Sequence, residues 1–95
     1  MPAYVIADVE VTDPVAYEEY RKLVAPTIAK FGGRFLVRGG KVERKEGGWQ
    51  PSRFVIVEFE SMSQAQAWYH SADYAPALAL RLKASNSKLI IAEGL

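Results

Sequence analysis

The sequence predicts an α+β fold, and three features carry that prediction. Four short stretches either alternate with period two or are dense in β-branched and aromatic residues. Between them lie segments whose apolar residues recur at helical spacing. Residues suited to caps and turns stand at most of the junctions. The chain has 95 residues, of which 49% are hydrophobic and 24% charged, with a net charge of +1. Since domains typically run to roughly 100–150 residues, a single domain over residues 1–95 is expected. The composition is that of a globular chain and excludes disordered or collagen-like structure. There is no cysteine, so neither a disulfide framework nor a thiolate metal site is available. That usage fits a reducing compartment, and a cytoplasmic location is expected. No apolar run approaches the roughly 20 residues that cross a bilayer, and the first residues do not read as a signal peptide, so no membrane partner is expected.

The elements follow in order. Ala3–Val11 alternates, with Ala3, Val5, Ala7, Val9 and Val11 forming an apolar face opposite Tyr4, Ile6, Asp8 and Glu10. Asp13 and Pro14 mark a helix start, because the carboxylate can accept from free backbone N–H groups and proline at the first helical position gives up no bond. Tyr17, Tyr20, Val24, Ile28 and Phe31 continue at helical spacing, Pro26 predicts a kink or break near Lys22–Ala25, and Gly32-Gly33 ends the helix. Arg34–Arg38 reads as a second strand, with Lys41–Lys45 a candidate continuation after a bulge or bend. Glu46–Pro51 reads as a loop, and Arg53–Phe59 is the plainest strand of the chain. Ser61-Met62-Ser63-Gln64 fits a capping box before a helix that stops and restarts at Ser71–Asp73. Tyr74–Ala84 continues as helix, Ser85-Asn86-Ser87 reads as turn chemistry, and Lys88–Glu93 is a last strand.

The order β-α-β-β-α-β is that of the ferredoxin-like fold, an antiparallel sheet with its helices on one face. The other face would then carry either Ile6, Phe54 and Ile56 or Val55, Val57 and Phe59. A chain this short hides only about 60–68% of its unfolded surface. An open apolar sheet face therefore predicts a homodimer, two sheets meeting face to face.

Thr12-Asp13-Pro14 with Tyr17 and Tyr20, the run Gly32-Gly33-Arg34-Phe35-Leu36-Val37-Arg38-Gly39-Gly40, and Ala67-Trp68-Tyr69-His70-Ser71-Ala72-Asp73-Tyr74 followed by Leu80-Arg81 together resemble the family called domain of unknown function 1330. The resemblance spans nearly the whole chain. It implies a dimeric α+β barrel, in which two ferredoxin-like subunits join their sheets. Proteins of that architecture include cofactor-independent monooxygenases, muconolactone isomerases and haem-dependent chlorite dismutases. The family itself implies no reaction, and shared fold is not shared chemistry.

Several residues are candidates for chemistry. His70, the only histidine, can serve as a general acid or base, or can be an ordinary surface histidine beside Trp68 and Tyr69. Arg38 precedes two glycines, where backbone can approach a ligand closely. Arg81 lies among Leu78, Leu80 and Leu82, a setting in which charge is costly unless answered. Either arginine can clamp a carboxylate, or pair internally with Asp8, Glu58 or Glu93. Tyr17, Tyr20, Trp68, Tyr69 and Tyr74 can fill the core, or can line a pocket with hydroxyls aimed inward. Tyr17, Arg38, Trp68 and Arg81 are the expected ligand contacts, with His70 as the catalytic candidate.

Other classes are excluded. Arg34–Arg53 holds six basic residues (Arg34, Arg38, Lys41, Arg44, Lys45, Arg53) against Glu43 and Glu46, and RNA-recognition motifs share the element order. The third strand of those motifs carries a basic residue, a glycine and spaced aromatics that stack bases. Arg53–Phe59 has no glycine, Glu58 repels phosphate and the net charge is only +1, so nucleic acid is not an expected partner. No metalloprotease, phosphate-loop, dinucleotide or nucleophile-elbow motif occurs. One histidine without cysteine leaves no expected metal site, and no cofactor is expected. The expected function is binding of a small anionic or carbonyl-bearing molecule between helices and sheet. A cofactor-independent oxygenase or isomerase and a purely structural dimer are the alternatives.

Overall fold

The computed structural model describes residues 1–95. Four antiparallel strands, β1 (Ala3–Val11), β2 (Arg34–Arg38), β3 (Phe54–Phe59) and β4 (Ser85–Glu93), form one sheet in the order β2-β3-β1-β4. Three helices, α1 (Pro14–Lys30), α2 (Met62–Tyr69) and α3 (Ala75–Ala84), cover one face. The order and pairing are those of the ferredoxin-like fold. The Cα trace measures 35 × 32 × 16 Å, the thickness of one sheet and one helix layer.

The caps work largely as their residues predict. Asp13 Oδ1 accepts from the Ala16 N–H at 3.1 Å, with Pro14 next in the chain. At the other end Gly33 N–H reaches back to the Ile28 carbonyl, and Gly32 takes φ 77°, the left-handed turn that a β-carbon disfavours. Pro26 does not break α1, which is continuous from Pro14 to Lys30. The proline faces solvent, so water can hydrogen-bond the carbonyl left without an N–H donor. Ser61 Oγ caps α2 by accepting from Gln64 N–H, but the second half of the expected capping box is absent. The Gln64 amide instead donates to the Phe31 carbonyl at 2.8 Å and ties the start of α2 to the end of α1.

Two strand boundaries differ from the sequence reading. Lys41–Lys45 does not continue the sheet. Ser85-Asn86-Ser87 is strand rather than turn, paired with Val11, Glu10 and Val9, so β4 leaves α3 without a loop. Ser85 explains the direct transition: its hydroxyl donates to the Arg81 carbonyl at 2.6 Å, satisfying a free helix-end group while the backbone is already extended.

Ala3, Val5, Ala7 and Val9 of β1 join Val57 and Phe59 of β3 under the helices, against Tyr20, Val24, Ile28, Trp68 and Ala77. The open face is therefore the one holding Ile6, Phe54 and Ile56, with Ile90 and Leu36. A bulge in β2 sets two residues, Leu36 and Val37, between the Phe35–Val57 and Arg38–Val55 pairs. Under strict alternation Arg38 would share the open face with Arg34 and Leu36. The extra residue turns it inward beside Phe35.

Candidate functional site

Between α1 and the sheet lies a cavity of about 40 Å³, enough for water but far below the roughly 300–1,000 Å³ of pockets that hold drug-sized ligands. Its walls are apolar except for tyrosines, Trp68 and four arginines: Arg21, Arg38, Arg53 and Arg81. No acidic side chain lines it. Tyr17, Arg38, Trp68 and Arg81, separated by as many as 64 positions in the chain, meet around this one space. His70 does not. It caps the end of α2, is exposed, and lies edge-on to Tyr69 at 5.2 Å between ring centroids.

Arg81 is 3% exposed and forms no ion pair; Glu58 is taken by Arg34, and neither Asp8 nor Glu93 reaches it. Its partners are neutral. The Nε–H donates to the Tyr74 hydroxyl at a long 3.4 Å, and a terminal N–H donates to Ser87 Oγ. Burial works most strongly against the charge, but the phenolic oxygens around it, Tyr74 first and then Tyr20 and Tyr69, together offset it and hold the guanidinium above its usual value. Tyr74 in turn shares a 3.1 Å hydrogen bond with Tyr20. Burial first, then the neighbouring Tyr74 hydroxyl, push the Tyr20 phenol well above the usual tyrosine value, so it stays a neutral proton donor. Trp68 lies 4.1 Å from the Tyr74 ring, and its indole N–H donates to Thr27 Oγ1 at 3.0 Å, which locks the ring against α1.

Three further guanidinium groups sit nearer the edge. Arg38 is exposed and rests 4.2 Å from the Phe35 centroid. Arg53 lies 5.7 Å from the Tyr17 ring, its Nε buried without a partner. Gly39, at φ 74°, makes room for it: a β-carbon there would collide with the Arg53 guanidinium. Arg21 pairs with Glu18 at 3.3 Å, though its Nε also is buried and unpartnered. Sequence reasoning missed Arg53. The available signal was parity, since Arg53 alternates with the buried Val57 and Phe59, but the inward face of β3 was ambiguous. Chemically, the arrangement is a small apolar space with excess positive charge and phenolic donors. No group of three or more metal-ligating side chains occurs.

Fold and site together define a small ferredoxin-like protein with an arginine-lined cavity between helices and sheet. Its sequence matches the family described as Domain of unknown function (DUF1330) over residues 2–95, and the chain belongs to that family. No curated protein matches it. Among solved structures, a protein of unknown function from Rhodopseudomonas palustris is similar at 20% identity and TM-score 0.78, covering 99% of this chain and 82% of that one. SnoaB, a cofactor-independent oxygenase from Streptomyces nogalater, is similar at 12% identity and TM-score 0.68, covering 99% and 93%. A dimeric ferredoxin-like protein of unknown function from Bacteroides fragilis is similar at 10% identity and TM-score 0.63, covering 98% and 96%. These similarities establish the fold.

Proposed function

We propose that the protein is a homodimer that binds a small organic anion or carbonyl compound in the cavity between helices and sheet. The observation that carries this reading is Arg81, a buried guanidinium answered only by hydroxyls in a cavity without a single acidic side chain. An uncompensated buried charge costs several kcal/mol, and a ligand carboxylate or enolate would supply the missing counter-charge through a bidentate contact. Tyr17, Trp68 and Phe35 offer ring faces for a flat apolar body. The space is tight, so a ring-bearing ligand requires a wall to yield. Arg38 is the side chain to do so, because it is exposed and held only by the face of Phe35.

The dimer reading rests on the open sheet face and on the fold shared with the Bacteroides fragilis protein, which is described as dimeric. A cofactor-independent oxygenase, the activity of SnoaB, would use the same cavity, with a tyrosine rather than the distant His70 as its proton-transfer group. A merely structural dimer gives no reason to keep Arg81 uncompensated. Calorimetric titration with benzoate and with benzyl alcohol tests the binding reading. Benzoate should bind and the alcohol should not; equal binding, or none of either, would contradict it.

A further inference from the structure

The hydrogen bonds behind the cavity wall have a direction, and that direction leaves one donor unanswered. A guanidinium can only donate, so Tyr74 oxygen is an acceptor toward Arg81. The Tyr74 hydroxyl carries one proton, the residue is 0% exposed, and the only acceptor within its reach is the Tyr20 oxygen at 3.1 Å. Were Tyr20 to donate to Tyr74 instead, the Tyr74 proton would be buried with no partner, at a cost of about 1–3 kcal/mol. In either arrangement one phenol proton lacks a protein acceptor. With Tyr74 O–H donating to Tyr20, the free proton belongs to Tyr20, the residue that lines the cavity, where water can accept it. A neutral phenol with a free O–H beside a cationic neighbour is an oxygen-reading device.

We propose that Tyr20 presents this free hydroxyl to the cavity as the ligand's specificity contact, selecting molecules with an anionic or carbonyl oxygen set to accept from it. The proposal rests on the cavity's being a binding site and deepens that reading. Arg38, Arg53 and Arg81 supply charge but discriminate little among anions. Tyr20 adds the demand for one acceptor atom at a defined place, and a ligand presenting an ammonium or an apolar group there gives its hydroxyl no acceptor.

Benzoate is the probe, titrated into the unaltered protein and into Tyr20→Phe and Tyr74→Phe. Loss of a hydrogen bond to a charged acceptor predicts about a tenfold fall in affinity for Tyr20→Phe. Tyr74→Phe keeps the donor and should fall about threefold or less. In the unaltered protein the Tyr20 hydroxyl proton, followed by proton NMR, should move downfield when benzoate is added. Wild-type affinity retained in Tyr20→Phe, with that resonance unmoved, overturns the role of Tyr20 and leaves the cavity reading standing. Absence of benzoate binding to the unaltered protein overturns both. If Tyr20→Phe does not fold, the hydroxyl resonance of the unaltered protein decides alone.

Discussion

Arg81 combines burial with the absence of a carboxylate, and the two make opposite demands on stability and on binding. Replacing a buried, uncompensated charge by an apolar side chain of similar length tends to be neutral or stabilising. The variant Arg81→Met should therefore keep or raise the thermal midpoint while losing benzoate affinity by tenfold or more. Differential scanning calorimetry checks the first part and titration calorimetry the second. A structural role for Arg81 would show instead as a midpoint lowered by several degrees. At this scale much of the cavity's lining is legible in the sequence. An arginine flanked by leucines, a second before a glycine pair, and aromatics at helical spacing converge on one cavity. The sequence leaves Tyr20 open between core filling and pocket lining and places Arg53 only among strand residues, because their roles depend on hydrogen-bond direction and on which face of β3 is covered, neither of which a single sequence displays.

Elements place these side chains, and the exceptions to regularity matter most. The bulge in β2 turns Arg38 inward, and the loopless passage from α3 to β4 brings Ser87 under Arg81. Helix caps and the central strands follow from local chemistry. The start of β4 does not, since three small polar residues suit a turn unless long-range pairing with β1 claims them. The segment before β3 is held differently. Asp8 on β1 accepts from the Trp49 indole N–H and from Ser52 N–H, both at 2.9 Å, and Trp49 lies edge-on to Phe54. These two donors, the indole first, hold the Asp8 carboxyl below the usual carboxylate range. A carboxyl whose value is depressed on folding stabilises the ionised, pinned state above its unfolded value, and that contribution is lost as pH falls through the folded value. The Trp49 indole N–H resonance should therefore titrate with a midpoint below that of an ordinary aspartate. In Asp8→Asn this acid transition should vanish; an unchanged titration would assign it to another group.

On the scale of the whole molecule, the helices leave one face of the sheet uncovered, with Ile90 60% and Leu36 47% exposed. Apolar patches of this kind on small proteins tend to mark contact surfaces. The proposed dimer should scatter light as twice 10.6 kDa, and Ile90→Lys should shift it towards the monomer; a wild-type monomer would contradict the dimer. The need for a partner face is legible from strand alternation, whereas the choice between its two possible sets of residues awaited the register of β1 against β3. The two tryptophans lie on opposite sides of the sheet, Trp68 in the cavity wall and Trp49 beside Asp8 and Phe54 on the open face. Their indole N–H resonances thus report separately on the two surfaces in one NMR titration with benzoate. Binding in the arginine-lined cavity predicts that the Trp68 signal moves and saturates while the Trp49 signal stays in place. A stationary Trp68 signal, or movement of Trp49 alone, would contradict it.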